Sequence, residues 1–307
     1  MARPVAVVTG AARGIGLETA RRLAATHRVA LLDLDEAGAE RGAAQIGGDA
    51  VFAGCDITDA ESVRGAVTGV VRRCGGIDVA IANAGIATAG AMRHLDPDVL
   101  AAQLNVNLTG SWRFIHACLP HVVERRGYVL GVSSASALVA PCGIGHYAAS
   151  KAGFEHLLDV LRVEVAHLGV DVGIAFFSWI DTEMVRGAER SHPAFAALRA
   201  KLRGPAGRTL PVGAAADALV RAVHGRERMV TAPGVRARGV LAARPDRAAH
   251  RPRGARQRAS YRPRHGRARG RARAVRCGDA ARRRRLWRGG TFVAALNKTA
   301  ISGGLIR

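Results

Sequence analysis

The sequence predicts a doubly wound α/β domain: one seven-stranded parallel sheet with helices on both faces, spanning residues 1–234. Short β-rich apolar runs alternate with longer amphipathic stretches along this region, the pattern of a sheet whose strands are joined by helical crossovers. The apolar runs are continuous rather than alternating, as in strands buried on both faces. A glycine-rich turn follows the first run directly, where such a sheet hands its chain to its first helix.

In order, strands are expected near 4–9 (PVAVVT), 28–33 (RVALLD), 50–55 (AVFAGC), 77–82 (IDVAIA), 127–133 (GYVLGVS), 170–177 (VDVGIAFF) and 228–232 (RMVTA). Helical patterns fill the intervals near 15–26, 36–46, 59–74, 98–125, 146–168, 182–202 and 213–224. No internal repeat is present.

Composition narrows the function classes. The hydrophobic share of 49% fits a globular core. No apolar run reaches the roughly 18–20 residues that span a bilayer. The opening residues lack a signal peptide's apolar stretch and cleavage site, so the expected compartment is the cytoplasm. Five scattered cysteines, with no CxxC spacing, argue against a zinc site or a disulfide framework. The net charge of +22 resembles a nucleic-acid signature only until it is divided. Residues 1–235 carry 24 Lys+Arg against 22 Asp+Glu, whereas residues 236–288 carry 20 Arg against Asp246 and Asp279. The basicity belongs to the segment 235–307, which is expected to be a disordered extension because it has no periodic apolar face. Only Tyr261 and Trp287 accompany those 20 arginines. Base-stacking groups are thus scarce, and nucleic acid is not the expected partner. An alternative reading frame of GC-rich DNA would give the same texture.

The chemistry sits in the first domain. Gly10, Gly14 and Gly16 permit a tight turn and close backbone approach to a pyrophosphate, with Arg13 and Ile15 between them and the helix N-terminus aimed at the anion. Asp33 lies 17 residues beyond Gly16 at the end of the second strand. An acid there accepts hydrogen bonds from a ribose and repels a 2′-phosphate, which favours NAD(H) and leaves NADP(H) possible through Arg13. Asp35 reads as a solvated surface charge. Tyr147 and Lys151 stand at i and i+4, so they share one helix face. A neighbouring ammonium is expected to lower the phenol's pKa from its usual value near 10. Ser134, at the end of the fifth strand, is placed to hydrogen-bond a substrate oxygen where charge develops. His146 reads as a helix-start residue, and the remaining histidines are too scattered for a metal site.

From residue 4 to about 233 the sequence resembles the short-chain dehydrogenase/reductase family, which has a Rossmann-type fold. The TGxxxGIG turn is complete, and Tyr147 to Lys151 forms the YxxxK signature, with Ser134 13 residues before it. The resemblance implies that Asp56 and Ile57 contact adenine, and that Asn83, Ala84 and Gly85 stabilise the sheet beside the cofactor. It also implies that Asn107, within Asn105-Val106-Asn107-Leu108, holds a water relaying protons to Lys151. Ile180 and Thr182 keep the family's nicotinamide-contacting places. Phe177 and Ser178 depart from it by replacing a Pro-Gly pair, which would put Phe177 and Trp179 near the cofactor or substrate mouth. The expected activity is hydride transfer between a nicotinamide cofactor and a small secondary alcohol or ketone of apolar character, in a homotetramer or homodimer. A dinucleotide-binding sensor without turnover, or a nucleic-acid binder acting through the basic segment, are the alternatives.

Overall fold

The computed structural model describes residues 3–139, 141–204 and 207–232. The expected extension at 235–307 lies outside them.

The parallel sheet is built as the sequence predicts. Its strands are β1 (Val5–Thr9), β2 (Arg28–Asp33), β3 (Val51–Gly54), β4 (Val79–Ala82), β5 (Tyr128–Val132), β6 (Asp171–Phe176) and a last strand, Met229–Thr231. Their order is β3-β2-β1-β4-β5-β6-last, with every pair parallel. The chain runs outward from β1 to β3, then returns to β4 on the other side of β1. The carboxyl ends of β1 and β4 therefore flank the switch point where open α/β sheets bind ligands.

Helices cover both faces. They are α1 (Gly14–Leu23), α2 (Glu36–Ile46), α3 (Ala60–Cys74), α4 (Pro97–Leu104), α5 (Ser111–Glu124), α6 (Gly145–Val165), α7 (Glu183–Ser191), α8 (Pro193–Ala200) and α9 (Val212–Gly225). Among the described residues, no helix is long and apolar enough to cross a membrane. One core lies on the α3–α5–α6 side around Phe114, Phe154 and Phe176. The other lies on the α1–α2–α9 side around Leu23, Leu31 and Leu219. Each fully buried large side chain contributes about 1.5–3 kcal/mol of transfer free energy. Tyr128 adds a polar tie within the core, its hydroxyl donating to the Glu227 carbonyl at 2.6 Å.

The departures from the sequence reading have physical causes. The helix expected over 98–125 is broken by a widened, π-type turn at Asn105–Gly110. Gly110 packs so closely that a Cβ there would lie 2.9 Å from the Ile57 carbonyl oxygen. The helix expected over 182–202 stops at His192, held at φ −135° and ψ 85°, because the residue before Pro193 is disfavoured in the helical region. After β6 the short strand β7 (Trp179–Ile180) pairs with β8 (Thr209–Leu210), making a second, two-stranded sheet, so the last strand of the main sheet is β9. Two-residue strands carry no periodicity to read. Asp35, expected to be only a surface charge, caps α2 by accepting from the Gly38 N–H at 2.9 Å.

Candidate active site

The site is assembled from strand ends. Thr9 closes β1, and its hydroxyl accepts from the backbone N–H of Asn83 at 3.1 Å and of Ala84 at 3.2 Å. The Asn83 side-chain amide donates to the Thr9 and Gly10 carbonyls at 3.0 and 3.1 Å. These bonds lock the turn after β1 to the segment after β4. Gly10 and Gly14 have φ of 65° and 59°, a region that strains residues bearing a Cβ. At Gly16 a Cβ would lie 2.2 Å from the Gly10 carbonyl oxygen, so this position admits only glycine. The first turn of α1 contains no acidic residue, and it borders the cavity with Arg13 exposed beside it.

Asp33 holds the same turn from the other side. Its carboxylate accepts from the Ala12 N–H at 2.9 Å and the Asp35 N–H at 3.0 Å. After β3, Asp56 accepts from the Thr58 hydroxyl at 2.7 Å and the Thr58 N–H at 2.8 Å, and these bonds hold its carboxyl below the usual carboxylate range.

The reacting end lies between β5, α6 and the π-type turn. Ser134 follows β5; its Oγ accepts from the Ser136 N–H at 3.1 Å and the Ser136 hydroxyl at 2.9 Å. Tyr147 and Lys151 occupy one face of α6, with Nζ 5.9 Å from the Tyr147 ring centre. Lys151 is buried and donates to the Val132 carbonyl at 2.9 Å, while the Ser133 hydroxyl donates to the Lys151 carbonyl at 3.1 Å.

The electrostatics here differ from the sequence expectation. Burial pushes the Tyr147 phenol up to about 12, and its hydrogen bond with the Ser134 hydroxyl offsets this only in part. Burial also pushes Lys151 down to about 8. An ammonium lowers a phenol's pKa only to the extent that it is itself stable as a charge, and desolvation works against both groups.

Asn107 is tied to two neighbouring segments. Its amide donates to the Ile86 carbonyl at 2.9 Å and to the Ser150 hydroxyl at 3.0 Å, while its oxygen accepts from the Ile86 N–H at 2.8 Å. Both amide donors are thus bonded to protein, and the side chain splints the segment after β4 to α6. Phe177 is buried in the core on the α9 side, although it also lines the cavity. Ile180 is buried in β7, and Thr182 stands at the N-terminus of α7 with its hydroxyl 3.3 Å from the Ile180 carbonyl. His146 does start α6, but it is fully buried and shares a 2.7 Å hydrogen bond with Thr88. Thr58, Ser133 and Ser150 complete the site without any signal in the sequence, and Thr9, the first residue of the TGxxxGIG turn, gave no sign of its tie to Asn83 and Ala84. Hydroxyls that hold backbone leave no spacing pattern.

The site residues converge on shared space. One cavity of about 1080 Å³ runs from Asp33 and Asp56, past Gly10 and Gly14, to Ser134, Tyr147 and Lys151. A smaller compartment of about 90 Å³ continues beyond Tyr147, with Ala135, Trp179 and Phe195 in its walls. The glycine cradle, the acid at its far end and the Tyr–Lys pair at the near end fit an extended dinucleotide.

Comparison with known proteins points to the same fold. The family model described as short chain dehydrogenase matches residues 4–192. A trans-4-hydroxycyclohexanecarboxylate dehydrogenase of Sinomonas cyclohexanicum is 34% identical over 200 residues, covering 62% of this chain and 77% of that protein. A (-)-trans-carveol dehydrogenase of Rhodococcus erythropolis is 32% identical over 201 residues, covering 59% of this chain and 73% of that protein. Among solved structures, a short-chain type dehydrogenase/reductase from Mycobacterium marinum superposes with a TM-score of 0.68 at 26% identity, covering 76% of this chain and 95% of that one. With its motifs in order on the expected strand ends and a family match over more than half its length, the chain belongs to the short chain dehydrogenase family.

Proposed function

We propose that this protein is an NAD(H)-preferring oxidoreductase that interconverts a small secondary alcohol and its ketone, with Tyr147 as the acid/base. The observation that carries the reading is the continuity of one cavity, which joins the glycine turn and Asp33 to Ser134, Tyr147 and Lys151. The backbone around Gly10, Gly14, Ile15 and Gly16 would hold the pyrophosphate, and Asp33 the ribose hydroxyls. Asp56 and Ile57 would face the adenine, with Asn83, Ala84 and Gly85 behind the cofactor and Ile180 and Thr182 at its nicotinamide end. When bound, the nicotinamide supplies or takes up the hydride.

The chain's own residues handle the proton. A phenol held up at about 12 is protonated near neutrality, so Tyr147 is set to donate its proton to the oxygen of a carbonyl as that oxygen gains charge. The Ser134 hydroxyl steadies the same oxygen. Lys151, on the same face of α6, presents cationic charge to the phenolate left behind, which regains its proton from solvent. In the alcohol direction the same phenol must first be ionised, and a charged Lys151 favours that form. Asn107, in this reading, fixes the geometry of α6 through Ser150. The exposed Val160 and Val163 on the outer face of α6 are consistent with subunit packing in a homodimer or homotetramer.

A screen of alcohols and ketones followed by NADH fluorescence tests the activity. Tyr147→Phe is expected to lower kcat by at least about 10²-fold with NAD(H) affinity nearly unchanged; a variant with near wild-type kcat would remove Tyr147 from the role.

A further inference from the structure

The compartment beyond Tyr147 is closed by a built wall. Trp179, in β7, packs its ring against Phe195 of α8, with centroids 5.9 Å apart and planes tilted by 59°. The Arg199 guanidinium also lies over the Trp179 ring, 4.8 Å from its centroid. That guanidinium is anchored twice more, by an ion pair with Glu189 of α7 and a hydrogen bond to the Thr209 hydroxyl of β8. Its side chain is only 12% exposed, so this is a desolvated clamp rather than a solvated surface pair. One arginine therefore ties α7, α8, β7 and β8 together around a single indole.

The lining of the compartment has a definite chemistry. Ala87, Ala135, Val139 and Ile144 give apolar walls, with Trp179 and Phe195 closing them. Among the described residues, its side-chain polarity is confined to hydroxyls, the indole and a methionine sulfur; no lysine, arginine, histidine or carboxylate lines it. Its volume of about 90 Å³ accommodates about six to nine non-hydrogen atoms, on the scale of one small ring. A carboxylate set against these walls would give up part of its hydration without meeting a cation in the lining, which is unfavourable.

We propose that Trp179, positioned by Arg199, is the specificity wall of this enzyme, and that it selects a compact, uncharged, apolar carbonyl or alcohol over charged or bulkier homologues. This rests on the oxidoreductase reading above, and the test separates the two. Cyclohexanone, the same ring bearing a carboxylate, and a fused bicyclic ketone are compared as substrates of the full chain with NADH. Wild type is expected to favour cyclohexanone over the carboxylated ring by at least about tenfold in kcat/KM. Trp179→Ala is expected to raise the kcat/KM of the bicyclic ketone relative to cyclohexanone by at least about tenfold, without changing NADH affinity. Arg199→Met, which keeps the wall but frees it, is expected to shift the same ratio in the same direction, mainly through KM. Preference for the carboxylated ring, or an unchanged ratio in both variants, overturns the proposal and leaves the oxidoreductase reading standing. Binding is read independently of turnover by quenching of tryptophan emission on titrating cyclohexanone into the NAD⁺ complex. Saturable quenching that Trp179→Phe abolishes, without turnover of any compound, supports the compartment and removes the oxidoreductase reading. Absence of both quenching and turnover overturns the proposal.

Discussion

Lys151 shows how one side chain's environment sets a measurable property of the whole protein. Its folded pKa is pushed down to about 8 by burial, against about 10.4 for a free lysine. Below pH 8 the ammonium is present in both folded and unfolded chains, and its burial penalty is constant. Between about 8 and 10.4 the unfolded chain binds more protons than the folded one, so stability from this group rises with pH through that window. Lys151→Met is therefore expected to flatten the rise in melting temperature between those values, as measured by thermal unfolding across a pH series. Tyr147 acts oppositely: its pKa of about 12 makes the folded state the stronger proton holder, and its contribution is lost as pH rises from about 10 to 12. Asp33 carries a second prediction at this scale. Its carboxylate repels a 2′-phosphate while also bonding the Ala12 N–H, so Asp33→Asn, which keeps an acceptor, isolates the charge. The ratio of NAD(H) to NADP(H) in kcat/KM is expected to fall at least about tenfold, since a unit charge a few ångströms away is worth about 1 kcal/mol or more. A wild type that already prefers NADPH tenfold would mean that Arg13 outweighs Asp33.

Among the elements, the π-type turn at Asn105–Gly110 and the glycine turn after β1 are the two places where backbone shape sets the site. The π-type turn carries Asn107 to Ile86 and Ser150, and Gly110 at its end packs directly against Ile57. Gly110→Ala forces a Cβ to within 2.9 Å of the Ile57 carbonyl oxygen. Overpacking of this kind costs about 1–3 kcal/mol. A lowered melting temperature together with reduced kcat is the expected result, because Asn107 shifts with the turn; calorimetry and steady-state kinetics on the purified variant check both. The same logic separates α7 from α8, where Pro193 sets the break that brings Phe195 back toward Trp179.

For the molecule as a whole, the sheet closes at β9, whose Met229–Thr231 pair with Ile174–Phe176 of β6. Every strand of the main sheet is in place before residue 232, and we propose that residues 1–234 fold and bind cofactor by themselves. A chain ending at Gly234 is expected to retain NAD(H) affinity and to gain thermal stability on adding NAD, as binding to the native state requires. Limited proteolysis of the full chain is expected to leave a resistant fragment of about 235 residues, since the arginines of 236–288 offer dense cleavage sites and no periodic apolar face to protect them. Protection of that segment in the absence of polyanions would show that it contributes to the fold.

The sequence by itself determined the seven-stranded sheet and the placing of helices between its strands, and it nominated the candidate site residues. Continuous apolar runs mean burial on two faces wherever they occur, and a turn that needs φ above zero leaves its glycines at fixed spacing. Tyr147 and Lys151 were legible because i and i+4 share a helix face and because the pair forms the YxxxK signature in order after the glycine turn and Ser134. Only the tertiary structure decided what depends on neighbours distant in the chain. The Tyr147 pKa is raised mainly by desolvation, the Asn107 amide bonds Ile86 and Ser150, and Trp179 of β7 is clamped by Arg199 of α8. Local spacing encodes which residues can meet on one element, whereas burial and partner choice arise only when separate elements pack.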